Sequence, residues 1–318
     1  MSQVSSISQT VASQFNSQKY NVLIDTDIGD DIDDALALAL ALCSPDLELI
    51  GVTTVFGDTQ KRALLANHIL GVFGHEDIPV ASGQELPLLP RHKPSGVPQA
   101  AILDKTVALP AISTLSGPEL IIETALSQRG RLTLLCLGPL TNVATALKLE
   151  PELFMAIKSI VMVGGTSGAP FPDWNIRSDV RAAQIVLGAG IPVTMLGWNI
   201  TTRCQLRAND ITRLRHNSTS QTQFLYRLLE IWKRHHPRWQ SDLPYLHDPV
   251  GIVALCAPHM LEFQEMTARV IGHGPLNGFM APRILDGPLV QAAIGIQAEA
   301  ATEWMMQRLL SPSRAQTT

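Results

Sequence analysis

The 318-residue chain is poor in the features that would mark it as secreted, membrane-bound or nucleic-acid-binding. It has four cysteines, Cys43, Cys136, Cys204 and Cys256, far apart and without a CxxC pair. That spacing excludes a disulfide framework and a cysteine metal cluster, and leaves buried, reduced thiols as the expectation. No basic block interrupts a sequence of net charge −4, which argues against nucleic acid and anionic membrane as partners. No apolar run approaches the length of a bilayer span; Ala35 to Cys43 is among the longest. Met1 to Gln18 is rich in Ser and Gln and lacks a cationic start before an apolar stretch. It is read as a mobile tail rather than a signal peptide, and the protein as cytoplasmic.

What is present is a large apolar fraction, 46%, enough for a substantial core. Short apolar strands alternate with helical segments. Tyr20–Asp25, Leu47–Val55, Arg131–Leu137, Ser159–Val163 and Pro192–Leu196 read as strands. Asp33–Cys43, Thr59–Phe73, Leu140–Leu149 and Val180–Leu187 read as helices between them. The chain then returns to strand at Leu289–Ile296 and helix at Ala298–Leu310. This rhythm predicts a mostly parallel, doubly wound, Rossmann-like α/β sheet with helices on both faces, in one domain over residues 19–312. Two stretches break it, Pro-rich Ser82–Pro110 and helical Arg207–Trp239. Both are expected as insertions near the site that sets specificity.

The most informative segment follows the first strand. Asp25-Thr26-Asp27-Ile28-Gly29-Asp30-Asp31-Ile32-Asp33-Asp34 has aspartate at six of its ten positions. In open α/β sheets this is where ligands bind. So many carboxylates in one turn repel unless a cation neutralises them, and an oxygen-only donor set favours Ca²⁺ or Mg²⁺. Helix capping accounts for Asp33 or Asp34 alone, but not for Asp25 and Asp27 at the end of a buried strand. An EF-hand loop would need Asp or Asn where Gly29 stands. A haloacid-dehalogenase-type phosphohydrolase would have Thr or Val at Gly29, and no basic, glycine-rich phosphate cradle accompanies this loop.

These residues resemble the opening motif of the inosine–uridine-preferring nucleoside hydrolase family, Asp-x-Asp-Pro-Gly-x-Asp-Asp-Ala. Here Ile28 replaces Pro, and the interval from Gly29 to the Asp pair is two residues longer. The pair aligns with Asp33-Asp34, where Asp-Asp-Ala-Leu-Ala opens the helix; the spacing alone also permits Asp30-Asp31. Further segments resemble the family in order. Thr53-Thr54-Val55-Phe56-Gly57-Asp58 carries Asp where the family has a ribose-binding Asn. Leu137-Gly138-Pro139-Leu140-Thr141-Asn142, Val163-Gly164-Gly165, Asp173-Trp174-Asn175 and Leu246-His247-Asp248-Pro249 follow. Taken singly, Asp248-Pro249 is an ordinary helix start and Asn175 a turn residue.

The resemblance implies hydrolysis of the N-glycosidic bond of a ribonucleoside. It also implies a Ca²⁺ ion held by Asp27, Asp34, the Leu137 carbonyl and Asp248, with Asp25 in support. Asp27 would be the general base and His247, which titrates near neutrality by type, the acid for the leaving base. Asp33, Asp58, Asn142, Asp173 and Asn175 would contact the ribose. A homodimer or homotetramer is the family expectation. Trp232, Trp239, Tyr226 and Tyr245 are candidates to stack on the base, with His92 or Arg238 at its edge. Trp198, at a strand end, is read as core. Purine or pyrimidine preference stays open, as does a metal-dependent nucleoside-binding protein without turnover.

Overall fold

Nine strands form one sheet in the order β3-β2-β1-β4-β5-β6-β9-β7-β8 in the computed structural model, which describes residues 19–89, 96–103, 111–236, 241, 243–282 and 286–311. The strands are β1 Tyr20–Thr26, β2 Leu47–Thr54, β3 Val80–Ser82, β4 Leu132–Cys136, β5 Ile157–Val163, β6 Val193–Leu196, β7 Leu261–Val270, β8 Met280–Pro282 and β9 Leu289–Ile296. Pairing is parallel from β3 across to β9; β7 and β8 extend that edge antiparallel. The predicted mostly parallel, doubly wound sheet is what forms. Met1–Gln18 lies outside the described residues.

Residue alternation explains why both faces are covered. Along β1, Val22 and Ile24 join one apolar cluster and Leu23 the other. Helices α1 Asp33–Leu42 and α2 Thr59–Phe73 cover the first face, with α8 Ala208–His216, α9 Ser220–His235, α10 Pro249–Cys256 and α11 Ala298–Leu310. Helices α3 Gly117–Gln128, α4 Thr141–Leu149 and α6 Val180–Leu187 cover the second. Two short helices, α5 Trp174–Ser178 and α7 Trp198–Thr201, sit at strand ends. Helix α1 is buried on all sides except its last residue, as its unbroken Ala/Leu sequence requires. Among the described residues no helix is long and apolar enough to cross a membrane.

The chain leaves β1 for β2 on one side, and the sheet continues through β4 on the other. The strand order therefore reverses between β1 and β4, and the loops at their carboxyl ends diverge to leave a crevice. The two segments without strand rhythm meet over this region. Pro98–Ile102, a 3₁₀ turn, packs against α9 and α2. Cys43, Cys136 and Cys204 are buried and Cys256 half-buried, all four as free thiols. Burial pushes Cys43 and Cys256 up to about 12 and Cys204 to about 11, so they stay protonated and inert.

Candidate active site

The crevice between β1 and β4 opens into a cavity of about 690 Å³. Its acidic wall is built by three pieces of chain. The first is the end of β1, where Asp25 is fully buried behind the cavity surface. Oδ1 of Asp25 accepts from Thr53 Oγ1 and from Asn142 Nδ2, both at 2.7 Å, while Oδ2 is buried with no hydrogen-bond partner. Burial pushes this carboxyl up to about 7. The second is the loop from Asp27 to Ile32. It bends through Gly29 at φ +120°, where a Cβ would lie 2.3 Å from Val97 Cγ1. The third is the junction of α1 with α10. Asp33 and Asp34 open α1, Asp248 precedes α10, and one carboxylate oxygen from each lies within 4.8 Å of the others. Thr26 Oγ1 holds Asp34 from behind.

Asp27 faces the same cavity. Gly138 makes room for it, since a Cβ there would stand 2.8 Å from Asp27 Oδ1. Burial first, and then each other's charge, push Asp27, Asp33 and Asp248 well above the usual carboxylate range; Asp34 rises to about 6, chiefly by burial. Buried carboxylates that destabilise one another's charge are a donor set suited to a hard divalent cation. The two Asp pairs left open by spacing have different neighbours. Asp33-Asp34 joins Asp248, whereas Asp30 pairs with Arg62 at 3.1 Å and Asp31 sits on the exposed rim.

The opposite wall is polar. Asp173 caps α5, accepting from Ile176 N at 3.1 Å, and rises to about 6 through burial. Gly164, at φ +144°, lets it approach; a Cβ there would lie 2.9 Å from Asp173 Oδ1. Asn175 Nδ2 donates to the carbonyls of Leu137 (2.6 Å) and Val163 (3.0 Å), which ties this wall to the end of β4. His247 Nδ1 lies 2.7 Å from Thr201 Oγ1, and its ring is tilted over Tyr245 at 5.6 Å. Burial pushes the imidazole down to about 4, below the near-neutral range expected from residue type, so the ring is neutral at pH 7.

Two expected ribose contacts are elsewhere. Asp58 caps α2, accepting from Lys61 N and pairing with Lys61 Nζ at 2.6 Å; its side chain is 40% exposed and off the cavity wall. Asn142 is fully buried behind Asp25. Its amide donates to Asp25 and to the Thr54 carbonyl and accepts from Gln84 N, so it supports the wall instead of forming it. Asp25 likewise stands behind the wall.

The aromatic residues also redistribute. Trp198 is not core: it is 44% exposed, lines the cavity, and stacks on Phe171 with ring centroids 4.4 Å apart. Strand periodicity cannot show that the chain turns into the crevice after Leu196. Trp232 lines the cavity, Tyr245 lines an adjoining chamber of about 470 Å³, and Tyr226 lines neither. Trp198, Trp232, His236 and His247 form walls common to both spaces. His92, Arg238 and Trp239 lie outside the described residues. Sequence reasoning missed Phe171, Trp174, Thr201 and His236. Trp174 had a signal, standing between Asp173 and Asn175, and it is 51% exposed at the cavity.

Known proteins are similar to this chain over nearly its whole length. The family model for inosine-uridine preferring nucleoside hydrolases matches residues 22–301. A probable uridine nucleosidase 2 of Arabidopsis thaliana is 32% identical, covering 91% of this chain and 97% of the relative. A pyrimidine-specific ribonucleoside hydrolase RihA of Shewanella baltica is 34% identical over 77% of this chain and 80% of its own. Among solved structures, a plant nucleoside hydrolase superposes with a TM-score of 0.82 at 27% identity, covering 92% of this chain and 99% of that one. A purine-preferring ribonucleoside hydrolase from Gardnerella vaginalis reaches 0.79 at 26% identity, with 92% and 98% covered. The matched segment starts inside β1 and ends inside the last helix, taking in every wall of the crevice, and the chain accordingly belongs to the inosine-uridine preferring nucleoside hydrolase family.

Proposed function

We propose that this nucleoside hydrolase cleaves pyrimidine ribonucleosides, uridine foremost, to free base and ribose, with Ca²⁺ as its resident cation. The observation that carries the reading is the meeting of the Asp33, Asp34 and Asp248 carboxylates beside Asp27, in a cavity whose other wall is Asp173 and Asn175. The base preference is supported by the names of relatives more than 30% identical, a uridine nucleosidase and a pyrimidine-specific hydrolase.

Asp27, Asp34, Asp248 and the Leu137 carbonyl would hold the cation, which when bound lowers the pKa of a water molecule and orients neighbouring hydroxyls. The chain's own residues do the rest. N-ribosyl cleavage passes through an oxocarbenium-like sugar, by analogy with glycoside hydrolysis, so water must arrive at the anomeric carbon as the base departs. Asp27 takes the proton of that water. Asp33, Asp173 and Asn175 hold the ribose hydroxyls; Asn175 offers Oδ1, its amide protons being committed to backbone carbonyls. Buried polar groups of this kind reject a sugar that lacks a hydroxyl, so 2′-deoxynucleosides are poor substrates. His247 assists departure of the base as a neutral ring. When the Thr201 hydroxyl donates to Nδ1, the ring proton sits on Nε2, where the neutral imidazole can donate a hydrogen bond to the departing base. The enzyme is further read as cytoplasmic, on its free, mostly buried thiols, and as a homodimer or homotetramer, on the family resemblance alone; size-exclusion chromatography checks the assembly.

The test is release of free base and ribose from a panel of ribonucleosides before and after chelation of Ca²⁺. Chelator-sensitive release, fastest with uridine, is expected. Tight nucleoside binding without release would leave a non-catalytic binding protein, and phosphate release from nucleotides alone would leave a phosphohydrolase.

A further inference from the structure

Arg62, in the second turn of α2, is the largest fully buried side chain among the described residues. Its Nε donates to the carbonyl of Phe56 at 2.7 Å. Its Nη1 donates to the carbonyl of Ile28 at 2.7 Å and to that of Asp27, and lies 3.1 Å from Asp30 Oδ1. Nη2 is buried with no hydrogen-bond partner. A permanent charge kept dry with part of its donor set unused is expensive; were this position only a plug between helix and sheet, an apolar side chain would serve as well or better.

What Arg62 touches suggests why a guanidinium is there. The three carbonyls belong to two loops, one after β1 and one after β2, and a planar fork can bond several acceptors in fixed directions where an ammonium cannot. Phe56 holds φ 65°, a left-handed conformation that a non-glycine residue keeps only when its surroundings enforce it. Asp27 is fixed on its strand side by β1; bonding of its carbonyl fixes the other side, and so sets where its carboxylate points. The far side of the loop is held by a neutral group: Gln99 donates from its backbone to Gly29 O at 3.1 Å and from its side chain to Asp31 O. Among the described residues, Arg62 combines a brace with a positive charge whose field reaches Asp27 and Asp34.

We propose that Arg62 is a positioning residue of the hydrolytic centre: it ties the loops after β1 and β2 together so that Asp27 and Asp34 are held in place for the cation and the attacking water. The proposal rests on the reading of those two aspartates given above. It is tested on the full chain with R62M and R62K, by circular dichroism and melting temperature, by calorimetric titration with Ca²⁺, and by kcat and KM for uridine.

R62M is expected to bind Ca²⁺ roughly 10-fold more weakly and to lose roughly 100-fold in kcat, with KM within about 3-fold, because a misplaced catalytic group costs rate and the ribose contacts are untouched. R62K, which keeps the charge but not the fork, is expected to recover part of both losses. Wild-type Ca²⁺ affinity and kcat per folded molecule in R62M, even with a lower melting temperature, would reduce Arg62 to a structural role and overturn the proposal. Should R62M fail to fold, R62K decides: an unchanged kcat and Ca²⁺ affinity overturn it, and a drop in both upholds it. A wild-type protein that neither binds Ca²⁺ nor releases base would sink the underlying reading, and the parallel wild-type control tells that failure apart.

Discussion

The backbone N–H of Asp248 donates to Asp33 Oδ2 at 3.4 Å, across 215 residues of chain. This contact closes the acidic wall. It brings the start of α10 against the start of α1, so that the Asp33, Asp34 and Asp248 carboxylates converge although their charges oppose the approach. The repulsion is relieved by a cation or by removing one charge.

D248N separates those two remedies. The asparagine keeps the shape and removes a charge, so the cation-free protein is expected to melt no lower than wild type. The rise in melting temperature on adding Ca²⁺ should shrink, with affinity falling roughly 10-fold or more as ligand charge is lost. An unchanged Ca²⁺-induced rise would remove Asp248 from the ligand set.

Stability should depend on pH in the direction set by the raised carboxylates. Asp25 rises to about 7, and Asp27, Asp33 and Asp248 well above the usual range. The folded, cation-free chain therefore holds more protons than the unfolded one, and its stability falls as pH rises through that window. His247 and His68, both lowered by burial, pull the other way, but their contribution is complete above about pH 6.5. Between about pH 6.5 and 8 the melting temperature without cation should fall, and Ca²⁺ should raise it more at the upper end, where protons no longer compete. Melting curves with chelator and with Ca²⁺ read both effects. A cation-free melting temperature that rises across that range contradicts the buried acidic wall.

D27N removes the proposed base while keeping its volume. Turnover of uridine should fall by roughly 10²- to 10⁴-fold, while calorimetry still detects nucleoside binding. A variant retaining a tenth of wild-type kcat would assign the base role elsewhere.

H247A tests departure of the base. Uridine, with a poor leaving group, should lose roughly 10²-fold or more in kcat, and p-nitrophenyl riboside much less. Equal losses on both substrates would leave His247 a packing role beside Thr201 and Tyr245.

G29A tests the turn. An alanine would be forced into φ +120° with its Cβ 2.3 Å from Val97 Cγ1. A loss of about 2–4 kcal/mol is expected from strain and overlap together, read from urea unfolding with Ca²⁺ present. A loss below about 0.5 kcal/mol would mean the loop relaxes freely away from Val97.

Much of the framework was legible in the chain. Thr59–Phe73, Val180–Leu187 and Leu289–Ile296 form with the expected bounds, because the period of apolar residues is a local property. β7 and α3 went unread: exposed Glu262 and Glu265 break the apolar pattern of β7, and α3 adjoins a Pro-rich stretch.

The sequence by itself determined that an acidic loop ends a buried strand, since six aspartates in ten residues have few other uses, and that this loop belongs to a nucleoside hydrolase. Tertiary structure decided which carboxylates come together. Asp33 and Asp34 meet Asp248 because α1 and α10 pack side by side, whereas Asp30 turns to Arg62. It decided that Asn142 works from behind Asp25, that Asp58 caps a helix, and that Trp198 faces the cavity. The physical reason is the range of the forces. Periodicity and capping act between near neighbours in the chain, while burial, charge repulsion and the direction of a side chain depend on elements that sequence separation hides.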